Sequence, residues 1–146
     1  MDPSSVKHLV EELIPFVKKT GVLVEELSAT KVKLKLPHDP GNLNPMGILH
    51  AGATFTLAET AAAALGLMAL GQGVMFLGKR VDIQFKRPGK GDVTAKAQLT
   101  PVEAQRILDG AQRDGKVDAP ITVDVVDAGG EPVAVAVVTL SVRRLG

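Results

Sequence analysis

Residues 48–70 read ILHAGATFTLAETAAAALGLMAL. No proline interrupts them, and apolar residues occupy nearly the whole circumference of the helix they would form. A helix that is apolar all round is either enclosed by protein or spans a membrane. His50 and Glu59 decide between the two. A glutamate near the middle of a bilayer costs roughly 2.5 kcal/mol or more, and no lysine or arginine cluster flanks either end to anchor a span. The stretch is expected to be a buried central helix, about residues 49–70, of about six turns.

Upstream, Val6, Leu9, Val10, Leu13, Ile14 and Val17 recur at helical spacing, so residues 4–19 read as an amphipathic helix capped by Ser4 or Ser5 and ended by Gly21. Residues 22–27 and 31–36 read as strands. The second alternates, with Val32, Leu34 and Leu36 on one face and Lys31, Lys33 and Lys35 on the other. The loop PHDPGNLNPMG, residues 37–47, is rich in turn formers and holds both asparagines of the chain, Asn42 and Asn44. Downstream, residues 79–87 and 92–100 alternate as strands, residues 102–113 read as a short helix, and 121–126 and 133–142 form two more strands joined by a turn at 127–132. Adjacent strands around one buried helix imply an α+β domain, an antiparallel sheet wrapped around that helix, rather than alternating parallel βαβ units. Such a sheet leaves two edges, and the valine-dense run 133–138 looks apolar on both faces, so self-association is expected, most simply as a two-fold dimer.

Composition narrows function. The 146 residues suit a single domain, 1–146, and 17 Lys+Arg against 16 Asp+Glu leave a net charge of +1, with no global field for nucleic acid or an anionic membrane. The four aromatic residues are all phenylalanine, few platforms for stacking bases. With no cysteine there is no disulfide, thiolate metal site or thiol nucleophile, and three histidines at 8, 38 and 50 are too dispersed for a metal cluster. No metal, nucleic acid or membrane partner is expected. The start, MDPSSVKHLVEELIPFVKK, lacks the basic and apolar regions of a secretory signal, which leaves the cytoplasm as the expected compartment.

Glu59 is the leading chemical candidate, being the one ionisable residue between His50 and Lys79. A carboxylate in the middle of a buried helix is costly to ionise unless it has partners or a task, and such groups are enriched at functional sites. It would serve as general base or nucleophile; the alternative is a structural carboxylate bonded to backbone. At the helix start, His50, Ala51 and Gly52 place small residues where free N–H groups and the positive end of the dipole point outward, a setting suited to an oxyanion. Gly52 and Glu59 share a helix face, about 10.5 Å apart along the axis, and the glutamate side chain leans back toward the N-terminus. Asn44, six residues before His50, is placed to donate an amide to a carbonyl or to close an Asx turn. His50 itself is either catalytic or a hydrogen-bonding group of the helix start. Alternation puts Lys79 on the face of Val81, Ile83 and Phe85, where it would need Glu59 or a ligand phosphate as counter-ion. Arg80, Lys86 and Arg87 extend a basic stretch that suits a polyphosphate, although charges of this kind are commonly just solvated. No Walker or dinucleotide fingerprint is present.

The segment from Asn44 through His50-Ala51-Gly52 to Glu59 resembles the signature of hotdog-fold acyl-CoA thioesterases of the PaaI-like type. There an amide residue is followed six positions on by His-Gly-Gly, and nine past the histidine by an acid on the central helix. Residues 81–88, VDIQFKRP, and 127–134, DAGGEPVA, resemble the family's later strand and last hairpin. The resemblance spans about residues 20–145 and implies a hotdog fold. It implies hydrolysis of acyl-CoA with Glu59 as base or nucleophile, the Ala51 amide in the oxyanion hole, and Asn44 holding the carbonyl or water. It further implies coenzyme A phosphates on basic residues, no cofactor beyond the coenzyme A of the substrate, and active sites between subunits of a homodimer or dimer of dimers. The chain departs from the pattern in Ala51 for the first glycine, in Glu59 where an aspartate is common, in Gly78 where some members carry Ser or Thr, and in the extra helix at 102–113. Two other functions stay open: a non-catalytic acyl-CoA binder, and an acyl-thioester hydratase or dehydratase, for which Pro37-His38-Asp39-Pro40 is a faint match.

Overall fold

The computed structural model describes all residues from Met1 to Gly146. The central helix, α3 (Ala51–Leu70), lies against a six-stranded antiparallel sheet. In chain order the strands are β1 (Leu23–Leu27), β2 (Lys31–Leu36), β3 (Val74–Phe85), β4 (Val93–Gln98), β5 (Lys116–Asp127) and β6 (Pro132–Arg144). Their order across the sheet is β1-β2-β4-β5-β6-β3, which makes β1 and β3 the edges. This is the hotdog arrangement. Although α3 is long and apolar enough to cross a membrane, its Leu57, Ala58, Ala61, Ala62 and Leu65 are fully buried against the sheet. Small side chains let the sheet close tightly on it. A Cβ placed on Gly66 would stand 2.8 Å from the Phe76 ring and 3.1 Å from Leu140.

The expected helix over 4–19 is broken in the structure. Asp2 caps α1 (Pro3–His8), a wider π turn covers Leu9–Leu13, and a short α2 runs Pro15–Lys18. Between them Ile14 is extended, at φ −88° and ψ 104°. Pro15 is the cause: its ring excludes the helical conformation from the preceding residue, while its own fixed φ suits the first turn of the next helix. Glu11 ties this segment to β1, its Oε1 accepting from the Val24 amide at 2.8 Å and from Lys7 Nζ at 2.6 Å.

Two strands begin earlier than alternation suggests. β3 starts at Val74 rather than Lys79, and a bulge interrupts its pairing with β6 between Gly78 and Arg80. β5 starts at Lys116 rather than 121 and carries Pro120 within it. That proline pairs with Thr139 of β6, whereas the ladder to β4 ends at Ala97–Val123. It therefore lies where β5 has a neighbour on one side only, the setting in which a strand tolerates proline. The inserted helix α4 (Pro101–Asp114) opens with a capping box between Thr100 and Glu103 and closes on Gly115 at φ 80°.

Candidate active site

Glu59 lies midway along α3, half-buried at the border between the helix and edge strand β3. Its carboxylate has no hydrogen-bond or ion-pair partner in the chain, and burial pushes its pKa above the ordinary 4.5. Across from it stands Gly78 of β3, where a Cβ would meet Glu59 Oε1 at 3.5 Å, an ordinary contact. The space facing the carboxylate is thus open because that strand position has no side chain.

Lys79 does not supply the counter-ion. The bulge adds a residue at this point, so Lys79 leaves the inner face predicted by alternation and turns to the outer face of the sheet. There its Nζ lies 2.7 Å from Asp118 Oδ2 of β5 and holds that carboxyl below its usual range. Arg80 is also exposed, 3.7 Å from Asp82. Neither residue lines the cavity at the helix start.

The helix start is built by the loop before it. The Asn42 side chain is buried and donates to the Thr20 and Pro37 carbonyls, while the Asn42 carbonyl accepts from the His50 amide at 2.8 Å. His50 is the N-cap, and its Nδ1 accepts from the Gly52 amide at 2.8 Å. In this bond Nδ1 is the acceptor, which leaves Nε2 as the ring nitrogen able to donate. A Cβ on Gly52 would lie 3.0 Å from that Nδ1, so glycine gives the ring room to cap the helix. The Gly52 amide is consumed by the cap, and the first amide of α3, that of Ala51, is the one without an acceptor.

Asn44 Oδ1 accepts from the amides of Met46 at 2.9 Å and Ile48 at 3.4 Å. This is Asx-turn geometry, and it leaves the side-chain N–H groups free to donate. Asn44 and Ala51 line one cavity of about 300 Å³ together with Phe85, Lys86 and Arg87 from the end of β3 and beyond. Of the four basic candidates, Lys86 and Arg87 are brought to this cavity. The Lys86 ammonium also donates to Gln84, and the Arg87 guanidinium lies 3.7 Å from Glu131. Sequence reasoning missed Gly89, whose carbonyl accepts from the Leu49 amide at 2.9 Å and fixes the approach to the helix. The Pro88-Gly89 pair was its available signal. It also missed Phe16, which borders the helix start from α2. No three His, Asp or Glu side chains gather closely enough to hold a metal ion, and His38 Nε2 instead donates to the Gly47 carbonyl at 3.0 Å.

These elements place an unpaired N–H at the helix start, a neighbouring side-chain amide, basic groups beside them, and a carboxylate of raised proton affinity further along the same helix. A family model described as a domain of unknown function, DUF4442, matches residues 3–142. A Haemophilus influenzae protein named as a candidate esterase is 29% identical over 99 residues, covering 67% of this chain and 70% of that protein. Among solved structures, PA5026 of Pseudomonas aeruginosa, a protein of unknown function described as a candidate thioesterase, superposes with a TM-score of 0.93 at 32% identity, covering 99% of this chain and 97% of that one. The thioesterase HI1161 of Haemophilus influenzae shares the fold, with a TM-score of 0.79 at 21% identity over 99% of this chain and 92% of that one.

Proposed function

The chain belongs to the DUF4442 family, and from that starting point we propose that it hydrolyses acyl-CoA thioesters with Glu59 as the reacting carboxylate. The observation that carries this reading is the state of Glu59: half-buried, unpartnered, and facing open space on the helix whose first amide is also free. A structural glutamate would be bonded to something; this one is held ready for a water or a carbonyl carbon. The candidate thioesterase PA5026 and the candidate esterase from Haemophilus influenzae point to the same reaction class.

In the proposed reaction the thioester oxygen accepts from the Ala51 amide, aided by the Asn44 side-chain amide. Water adds to the carbonyl carbon as Glu59 takes its proton, or Glu59 adds directly and water resolves the resulting anhydride. In the first route the C–S bond breaks as the tetrahedral adduct collapses, in the second as the anhydride forms and before water resolves it; in both, coenzyme A leaves as a thiolate that is protonated on release. The positive end of α3 stabilises the oxyanion formed in between. Lys86 and Arg87 would receive coenzyme A phosphates, and no further cofactor takes part.

The site needs two copies of the chain. Eight residues separate Ala51 from Glu59, a rise of about 12 Å, too far for one carbonyl to accept at its oxygen and be attacked at its carbon. Antiparallel packing of this α3 face on a second copy brings Ala51 of one chain to Glu59 of the partner subunit. Edge strand β3, whose Phe76 and Gly78 face α3 and whose Met75 and Leu77 are exposed on the opposite face of the sheet, runs beside that helix face with its edge unpaired, which favours a homodimer or a dimer of dimers. A coenzyme A substrate favours a cytoplasmic setting for this work.

A second reading, an acyl-CoA binder without turnover, is favoured by Gly78, which offers no hydroxyl or amide to orient a water opposite Glu59. Thiol release from a panel of acyl-CoAs separates the two. Hydrolysis by the wild type and at least a hundredfold loss in Glu59→Gln supports the enzyme. Bound acyl-CoA recovered intact supports the binder. The hydratase reading has little behind it, since His38 is tied to the loop carbonyl of Gly47.

A further inference from the structure

The start of α3 separates two cavities. One, described above, holds Asn44, Ala51 and the basic pair Lys86 and Arg87. The other, of about 370 Å³, lies on the side of the N-terminal segment, between α2, the loop and α3. Phe16, Leu43 and Ala53 form its apolar walls, and Lys19, His50 and Thr56 also line it. Thr56 lies one turn beyond Gly52, so this cavity runs from the helix start along the α3 face on which the second copy is proposed to pack. Its wall is also a constructed one. Pro15 breaks the N-terminal helix, α2 restarts at a new angle, and Phe16 in its first turn is left 65% exposed. A phenylalanine that exposed in a chain with four aromatics is poorly used unless something apolar covers it.

Resting on the thioesterase reading above, we infer that the Phe16 cavity receives the acyl group of the substrate, with Phe16 as the residue that sets acyl preference. The ligand of that reading has an anionic end and an apolar end: on one side of the helix start stand two basic side chains, Lys86 and Arg87, and on the other Phe16, Leu43 and Ala53 share the cavity with a single lysine, Lys19. The volume suits the occupant. A cavity of about 150 Å³ accommodates benzene, so 370 Å³ takes an aryl or medium-length alkyl group. An acetyl group would leave most of it unfilled.

Calorimetric binding of coenzyme A, acetyl-CoA, hexanoyl-CoA and phenylacetyl-CoA tests this in the Glu59→Gln background, alone and combined with Phe16→Ala or Thr56→Leu. Wild-type thiol release is measured alongside. The long or aromatic acyl-CoAs are expected to bind at least about tenfold more tightly than coenzyme A itself. Phe16→Ala should remove most of that excess and leave coenzyme A affinity unchanged, and Thr56→Leu should exclude the larger acyl groups first. Phe16 is exposed, so its truncation leaves the fold intact. An excess that survives both substitutions, or no excess in a protein that hydrolyses these thioesters, overturns the inference and leaves the hydrolysis reading standing. No turnover together with an excess lost in Phe16→Ala supports the cavity and removes the hydrolysis. Neither turnover nor any acyl-dependent binding sinks both.

Discussion

Glu59 is ionised at a cost to the fold. Burial raises its folded pKa above the 4.5 of a free glutamate, and no partner in the chain offsets this. Between the ordinary and the raised value, the folded state holds a proton that the unfolded chain has released. Stability therefore falls as pH rises through that window, and the loss persists above it. Glu59→Gln removes the loss. Its melting temperature is expected to exceed that of the wild type by a few degrees near neutral pH and to match it at about pH 4, where both side chains are neutral. Activity depends on pH in the opposite sense: kcat/KM should rise with pH through the raised pKa of Glu59, along a single acidic limb. The proposed oxyanion donor, the Ala51 amide, has its own test. His50 sits at φ −64° and ψ 138°, which a following proline accepts, and proline is well tolerated at the first position of a helix. Ala51→Pro therefore deletes one N–H while keeping the helix, and should lower kcat by about 10²–10³ with an unchanged circular dichroism spectrum.

Along α3, glycine serves two purposes that a stability series distinguishes. At Gly66 an added Cβ meets Phe76 and Leu140 inside 3.2 Å, whereas across the sheet at Gly78 it meets only Glu59 at 3.5 Å. Gly66→Ala is expected to destabilise by about 1–3 kcal/mol in urea denaturation, despite alanine being the better helix former. Gly78→Ala should stay within about 0.5 kcal/mol. The same helix was the most legible part of the sequence, because a long apolar run interrupted by one carboxylate suits a helix enclosed by protein and little else. Strands β2 and β4 were equally legible, each having one buried and one exposed face. Edge strand β3 was not: its exposed Leu77 and its bulge break the two-residue period, which misplaced both its start and the direction of Lys79. The N-terminal helix was misread for a different reason, since its apolar spacing continues through Pro15 although the backbone cannot. At the candidate site, the sequence singled out Asn44, His50 and Glu59 as candidates, joined by the family resemblance. It did not disclose that His50 consumes the Gly52 amide, because a cap depends on a dihedral angle rather than on residue type.

The isolated chain is an incomplete surface. β3 presents a twelve-residue unpaired edge, and the α3 face bearing Glu59 lies beside it, only half covered. Pairing two such edges covers both features, so sedimentation should give two or four times the mass of the chain rather than its monomer mass. If the site is shared, two different inactive chains can repair each other. Coexpression of Glu59→Gln with Ala51→Pro gives hybrid dimers in which one site carries both lesions and the other is intact. Random assembly should then restore about a quarter of wild-type thiol release from an accepted acyl-CoA, while each variant alone stays near background. Activity of the mixture no higher than that of the separate variants would contradict a site that joins Glu59 of one chain to Ala51 of the other.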